Sequence, residues 1–320
     1  MGKSSRRSAT DAGAEYALPV HAAKPRPHLG IGVMVVLITG LGAVALAGFV
    51  TVAAFFDGGN RPAPSTAAPA HGPAVRQDDT MAVSNHDDGL DANRLYSSGR
   101  LAEVACEAPR LHPRDATSME VFLHTVTDCL DESWGEHFAD SAMPFEPPNR
   151  VYWYASGQSP CGNYPVEGTS AFYCQANQGL YLGVADIVET SAGTGDAEAY
   201  GFLLSHEYGH HVQGEAGILD RYQDERSGQG TSADRDLWTR RGELQANCLG
   251  GVFLGSVADS FPIGGEGRAN ILKDVGLRSD RGDDRTHGTP QNGQMWTDHG
   301  MDRQDPAACN TWDARTELVD

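Results

Sequence analysis

Positive charge is what this chain has least of. It carries 24 Lys and Arg against 43 Asp and Glu in 320 residues, a formal charge of −19. So acidic a chain is repelled by phosphate backbones, and no basic stripe offsets that repulsion, so nucleic acid is excluded as a partner. No C-x-x-C pair occurs, and the six cysteines lack the spacing of thiolate zinc ligands. No internal repeat is visible. Hydrophobic residues nevertheless make up 40% of the chain, which excludes a collagen-like or wholly disordered protein.

The longest stretch without charge runs over 29–56. As a helix it would reach roughly 42 Å against a hydrocarbon core of about 30 Å, so it is expected to span a bilayer with tilt. It exceeds the apolar core of a cleavable signal peptide, about 7–15 residues, and reads as a signal anchor. Lys3, Arg6, Arg7, Lys24 and Arg26 precede it against only Asp11 and Glu15. The positive-inside rule then puts segment 1–28 in the cytoplasm and everything after Asp57 outside, as a single-pass plasma-membrane protein with an extracellular domain.

All six cysteines lie beyond that run, and an even number in an oxidising compartment points to disulfides. Of fifteen connectivities, the expected one is Cys106–Cys129, Cys161–Cys174 and Cys248–Cys309. Segment 57–92 is rich in Pro, Ala, Gly, Ser and Asp and reads as a flexible linker, with His71 and His86 as solvated bystanders. Residues 93–320 have the composition and length of one globular domain.

Within that domain Met119, Phe122, Leu123, Val126, Leu130, Trp134 and Phe138 recur at helical spacing, predicting a core helix over 118–138. The short aromatic segments 151–154, 171–174 and 180–182, separated by Gly and Asn, predict a small sheet. Next comes a helix over 196–214, with Asp196 as its cap and Phe202, Leu203, His206, His210 and Gln213 along one broad face. The fold class is therefore α+β, predominantly helical with a small sheet, preceded by one transmembrane helix.

The chemistry centres on His206-Glu207-Tyr208-Gly209-His210. Imidazoles four apart on a helix project side by side and can share one tetrahedral ion at about 2.0–2.1 Å. Glu207 is placed to take a proton from water on that ion, whose pKa zinc lowers to about 7. This H-E-x-x-H pattern fits peptide-bond hydrolysis. A third ligand is needed, and the metzincin extension is absent, because Gln213 and Ala216 stand where that pattern needs Gly and His. Glu243 is the best candidate, on a second helix over 242–254 whose Gly250 and Gly251 permit close packing, and Asn247 shares its face to orient a ligating histidine. Asp220, Asp224 and Glu225 are the competitors, but the polar stretch through Ser227-Gly-Gln-Gly230 reads as a loop, leaving them as surface charges.

These residues resemble a known family, the bacterial neutral zinc metallopeptidases, in blocks 206–213 and 243–248. The likeness extends through run 93–101, Cys129-Leu130, Trp134, runs 144–148 and 171–174, Thr286-His287-Gly288-Thr289 and run 305–309. The resemblance implies a zincin-like domain of the gluzincin kind that binds one zinc ion through His206, His210 and Glu243, with Glu207 as base. Asn247 stands where the family usually carries an acid. It keeps a carbonyl acceptor and loses the charge that makes a histidine ligand more electron-rich.

His211 points about 100° from His210 and is expected to pack or hydrogen-bond rather than bind the same ion. His287 is a candidate oxyanion stabiliser. The expected function is a membrane-anchored zinc endopeptidase acting on a peptide or protein substrate and held to the lipid bilayer through 29–56. The alternative is a noncatalytic, zinc-stabilised envelope-binding or scaffolding module.

Overall fold

The computed structural model describes residues 89–164, 170–190, 194–261, 263, 265–282 and 285–320. The expected cytoplasmic segment 1–28, the membrane run 29–56 and all but the last four residues of the linker lie outside them. Among the described residues no helix is long and apolar enough to cross a membrane. Among the described residues a 3-10 turn at Leu90–Ala92, inside the expected linker, buries Leu90 in the core. In the next turn, Arg94–Ser97, the Asn93 side chain accepts the Leu95 N–H. The polar composition around one leucine hid this start.

Helix α1, Ala116–Asp140, is capped by Asp115, whose Oδ1 accepts the Thr117 and Ser118 N–H groups. All seven apolar residues that predicted it are buried. Five strands follow: β1 (Asn149–Trp153), β2 (Gly157–Ser159), β3 (Gly162–Tyr164), β4 (Ala171–Cys174) and β5 (Gly179–Gly183). The sheet order is β1-β5-β4, parallel between β1 and β5 and antiparallel between β5 and β4, while β2 and β3 form a separate hairpin. Phe172 and Tyr181, opposite each other in register, stack at 4.6 Å. Cys161–Cys174 ties the hairpin to β4, which is an edge strand of its sheet.

After α2 (Val184–Thr190), five helices complete the domain: α3 (Ala197–Glu215), α4 (Ile218–Ser227), α5 (Ser232–Ser256), α6 (Gly265–Arg278) and α7 (Pro290–Arg303). The expected one-faced character of α3 is corrected. Tyr200, Leu204, Tyr208 and Val212, off the predicted face, are buried too, because α3 is central and packs on α1, α5, α6 and β4. Asp196 sits at its N-cap position but makes no cap bond; its carboxylate takes the Thr194 hydroxyl instead. The loop expected around Asp220, Asp224 and Glu225 is helix α4. Gly217, at φ 71°, lets the chain turn and restart, and Ile218 and Leu219 anchor an otherwise polar helix.

Helix α5 begins ten residues before its apolar pattern does, capped by Thr231, which accepts the Asp234 N–H. It packs most extensively on α7 and α3. The expected role of its glycine pair holds. A Cβ on Gly250 would stand 3.1 Å from the His206 backbone nitrogen, and one on Gly251 would collide with the Thr297 carbonyl oxygen. All three expected disulfides are present, with no free cysteine among the described residues. Cys248–Cys309 pins α5 to the 3-10 turn Pro306–Cys309 across 61 residues, a loop closure of about 4 kcal/mol in the chain-entropy account.

Candidate metal centre

One turn of α3 separates His206 from His210, whose rings stand 4.9 Å apart. From α5, Glu243 Oε2 reaches 3.3 Å from Nε2 of each. Ligands held at about 2.0–2.1 Å around a tetrahedral ion are spaced roughly 3.3–3.4 Å from one another, so these Glu–His separations are the edges of a zinc-sized tetrahedron.

The far side of each ring is fixed by an amide oxygen. His206 Nδ1–H donates to Asn247 Oδ1 at 2.8 Å, and His210 Nδ1–H donates to Gln213 Oε1 at 2.9 Å. Because those oxygens can only accept, each neutral imidazole aims its Nε2 lone pair at Glu243. Two lone pairs and a carboxylate converging on one point demand a cation or protons between them. Burial works against charge on both partners. Even so, the Glu243 carboxylate lifts His210 to about 9, and the two imidazoles hold Glu243 well below the carboxylate range. Protons and metal therefore compete for the same atoms.

Glu207 is the other nearby carboxylate. Ligand atoms of His206, Glu207 and His210 lie within 4.8 Å of one another. Of the two carboxylates, Glu243 is the one with an oxygen equidistant from both imidazoles at the tetrahedral spacing. Glu207, buried, instead lines a cleft of ≈ 450 Å³ with His206, Asn247 and His287. A second cleft of ≈ 440 Å³ opens on the other flank, along His210, Gln213 and Glu243. Edge strand β4 reaches both, through Ala171 in the first and Tyr173 in the second.

His287 comes close: its Nε2 is 3.9 Å from Glu243 Oε2, and the side chain is half-exposed. Its Nδ1 pairs with Thr286 Oγ1 at 2.9 Å. The turn that carries it hangs on Asp280, whose Oδ1 accepts the Thr286 and His287 N–H groups and whose Oδ2 accepts that of Gly288, all at 2.8–3.0 Å. His211 lies away from the centre, wholly buried. Its Nε2–H donates to the Glu146 carbonyl at 2.9 Å, leaving Nδ1 to accept from the Tyr173 hydroxyl at 3.2 Å. Burial drives its pKa down to about 4. Asp220 takes the Gln175 amide and Glu225 pairs with Arg221, both on α4.

Two contributors escaped the sequence reading. The sequence puts Gln213 on the histidine face without giving it a task. Its carbonyl orients His210, and its Nε2 donates to the Gly242 carbonyl and to Gln245 Oε1, each at 2.9 Å. Its i+3 spacing from His210 was the available signal. Asp280 left no trace, because a carboxylate that ties down backbone N–H groups has no characteristic spacing.

The helix that carries H-E-x-x-H is thus faced by a glutamate from a second helix. The chain belongs to the family described as "Putative neutral zinc metallopeptidase", whose model matches residues 89–312. Its relatives include the uncharacterised protein YpfJ of Escherichia coli K12, 27% identical over 208 residues, covering 60% of this chain and 70% of that protein. The uncharacterised Rv2575 of Mycobacterium tuberculosis H37Rv is 29% identical over 184 residues, covering 50% of this chain and 61% of that protein. No solved structure matches the chain.

Proposed function

We propose that the protein is a zinc-dependent endopeptidase with one ion held by His206, His210 and Glu243. The observation that carries this is Glu243 Oε2 standing 3.3 Å from both imidazole Nε2 atoms, whose opposite nitrogens are already engaged. Zinc bound there supplies a Lewis acid for the scissile carbonyl and acidifies water. Glu207 takes the proton of the attacking water and delivers it to the departing amine, a carboxylate's role in such a cleft. His287 presents Nε2 toward the same space and stabilises the charge that grows on the carbonyl oxygen. Clefts on both flanks accommodate chain on each side of the bond, which favours internal cleavage over trimming of ends.

The acidic domain works outside the plasma membrane in this proposal, a placement supported by its three disulfides and by the apolar run 29–56. The test is zinc analysis with cleavage of a fluorogenic peptide library. Glu207→Gln should keep zinc and lose hydrolysis by at least 10²-fold. Glu243→Ala should lose both. Undiminished turnover in Glu207→Gln would remove the base, and a zinc-loaded wild type that cleaves nothing would favour the noncatalytic binding module.

A further inference from the structure

One turn of α5 before Glu243, the Arg240 side chain is buried and bonds two main-chain oxygens that lie far apart in sequence. Its Nε–H donates to the Val319 carbonyl at 3.0 Å and its Nη1–H to the Arg285 carbonyl at 3.1 Å, while Nη2 stands 3.4 Å from Asp320 Oδ1. Arg285 lies just ahead of His287 in the chain. Just behind His287, the Thr289 N–H donates to the main-chain oxygen of Asp320 at 2.9 Å. Gly288, at φ 77°, sits so close to Leu244, the neighbour of Glu243, that a Cβ there would stand 3.0 Å from the leucine side chain. Asp280 closes the His287 turn on itself, whereas Arg240 and the segment it grips fasten that turn to α5 on both sides of the imidazole.

That segment, 311–320, is a strap held by side chains. Arg241 donates to the carbonyls of Thr311, Trp312 and Ala314, Trp296 Nε1–H to that of Leu318, and Asn292 Nδ2 to the main-chain oxygens of Glu317 and Asp320. Val319 is wholly buried in the core and fixes the strap where it meets Arg240. Residues 313–320 lie beyond the stretch that the family model matches, so this anchorage is read from this chain alone.

We propose that Arg240 is a positioning residue for hydrolysis: by tying the strap 311–320 to the His287 turn, it holds His287 Nε2 where negative charge develops on the substrate oxygen. This rests on the peptidase reading above and on the role given there to His287. The His287 side chain is half-exposed, and its own hydrogen bond is to Thr286, which moves with it, so its position is set by whatever holds the turn. A donor helps a developing oxyanion only if it is fixed beforehand, and a displacement of about 1 Å costs on the order of 10²-fold. A planar guanidinium reaches two separate carbonyls at once, which a single ammonium does less well.

The test uses the full-length zinc-loaded protein with Arg240→Met, and with the milder Asn292→Ala, which loosens the strap without touching Arg240, each made with and without His287→Ala. Zinc content, turnover of a fluorogenic peptide and affinity for a peptide phosphonamidate, a tetrahedral anionic mimic of the hydrated bond, are measured. Arg240→Met should keep zinc and lose about 10- to 100-fold in kcat, with KM within about threefold of wild type. Asn292→Ala should lose about three- to tenfold, and in the His287→Ala background either change should cost less than about twofold more. Phosphonamidate affinity should follow the same pattern. A role in stability alone would lower activity by the same factor with or without His287. Equal factors in the two backgrounds, an unchanged kcat in Arg240→Met, or loss of its zinc would therefore overturn the proposal. If Arg240→Met does not fold, Asn292→Ala decides the comparison. If nothing is cleaved but phosphonamidate affinity depends on Arg240 only when His287 is present, the positioning role stands and the peptidase reading falls. A wild type that neither cleaves nor binds overturns both.

Discussion

The floor of the metal site and its rim are built differently. The floor is two helices, α3 and α5, brought so close by glycine that their backbones meet, with α7 against the far side of α5. Each imidazole is held by an amide: Asn247 from the facing helix for His206, Gln213 from the same helix for His210. The rim is a turn, and the half-exposed His287 is held in place by the peptide N–H groups that Asp280 accepts. The three side chains that converge on one point ride on packed helices, while the half-exposed His287 rides on a tethered turn.

The comparison can be broken most severely at the floor. Gly251→Val drives a branched side chain into the Thr297 carbonyl, and backbone cannot yield as a side chain does. The expected loss is about 4 kcal/mol or more, read as a collapse of the denaturant midpoint. A midpoint within ~1 kcal/mol of wild type would mean that α5 and α7 are not locked together.

Acid should find the next weakness. Buried His211 stays neutral in the fold down to about pH 4, whereas in the unfolded chain it binds a proton near pH 6.5. The unfolded state holds more protons between those values, so the stability that neutral His211 contributes is fully present above pH 6.5 and is lost as pH drops toward 4, by roughly 3 kcal/mol in total. Urea melts of zinc-free protein across that window should show the slope, and His211→Gln should flatten it. An unchanged slope in the variant would assign the acid sensitivity elsewhere.

Smaller changes separate floor from rim. Asn247→Ala leaves His206 Nδ1 without its acceptor and should weaken zinc binding about 10- to 100-fold with little change in fold, measured by competition with a chelator. Asp280→Asn should destabilise by only about 1–2 kcal/mol, replacing acceptor capacity with an NH2 group that faces other N–H groups. Its signature is faster hydrogen exchange at Thr286, His287 and Gly288 and a lower kcat, with zinc content kept. If zinc were lost there too, rim and floor would be one unit.

Much of this was legible in the chain, and the reasons are local. Helix α1 announced itself through seven apolar residues that are all buried, because burial of one face imposes a period, and β1, β4 and β5 through short aromatic runs, whereas the polar hairpin β2–β3 gave no such sign. The polar helices α4 and α6 each bury only two large apolar residues, Ile218 and Leu219 in one and Ile271 and Val275 in the other, too few to mark them. Helix α7 offered Thr289 as a cap with Pro290 in its first turn, a signal easily passed over in a hydrophilic stretch. Likewise Asp196 had the right residue type for a cap and spent its carboxylate on Thr194.

Residue spacing determined the two histidines, the glutamate beside them and the shared face of Glu243 and Asn247, since a helix converts intervals of four into neighbours. Tertiary structure alone decided that Glu243 meets both imidazoles, that Gln213 holds the second ring, that Asp280 carries the His287 turn, and that a cleft opens on each flank of the site. Those contacts join residues tens of positions apart, and only packing, which no local rule encodes, sets which of them face each other.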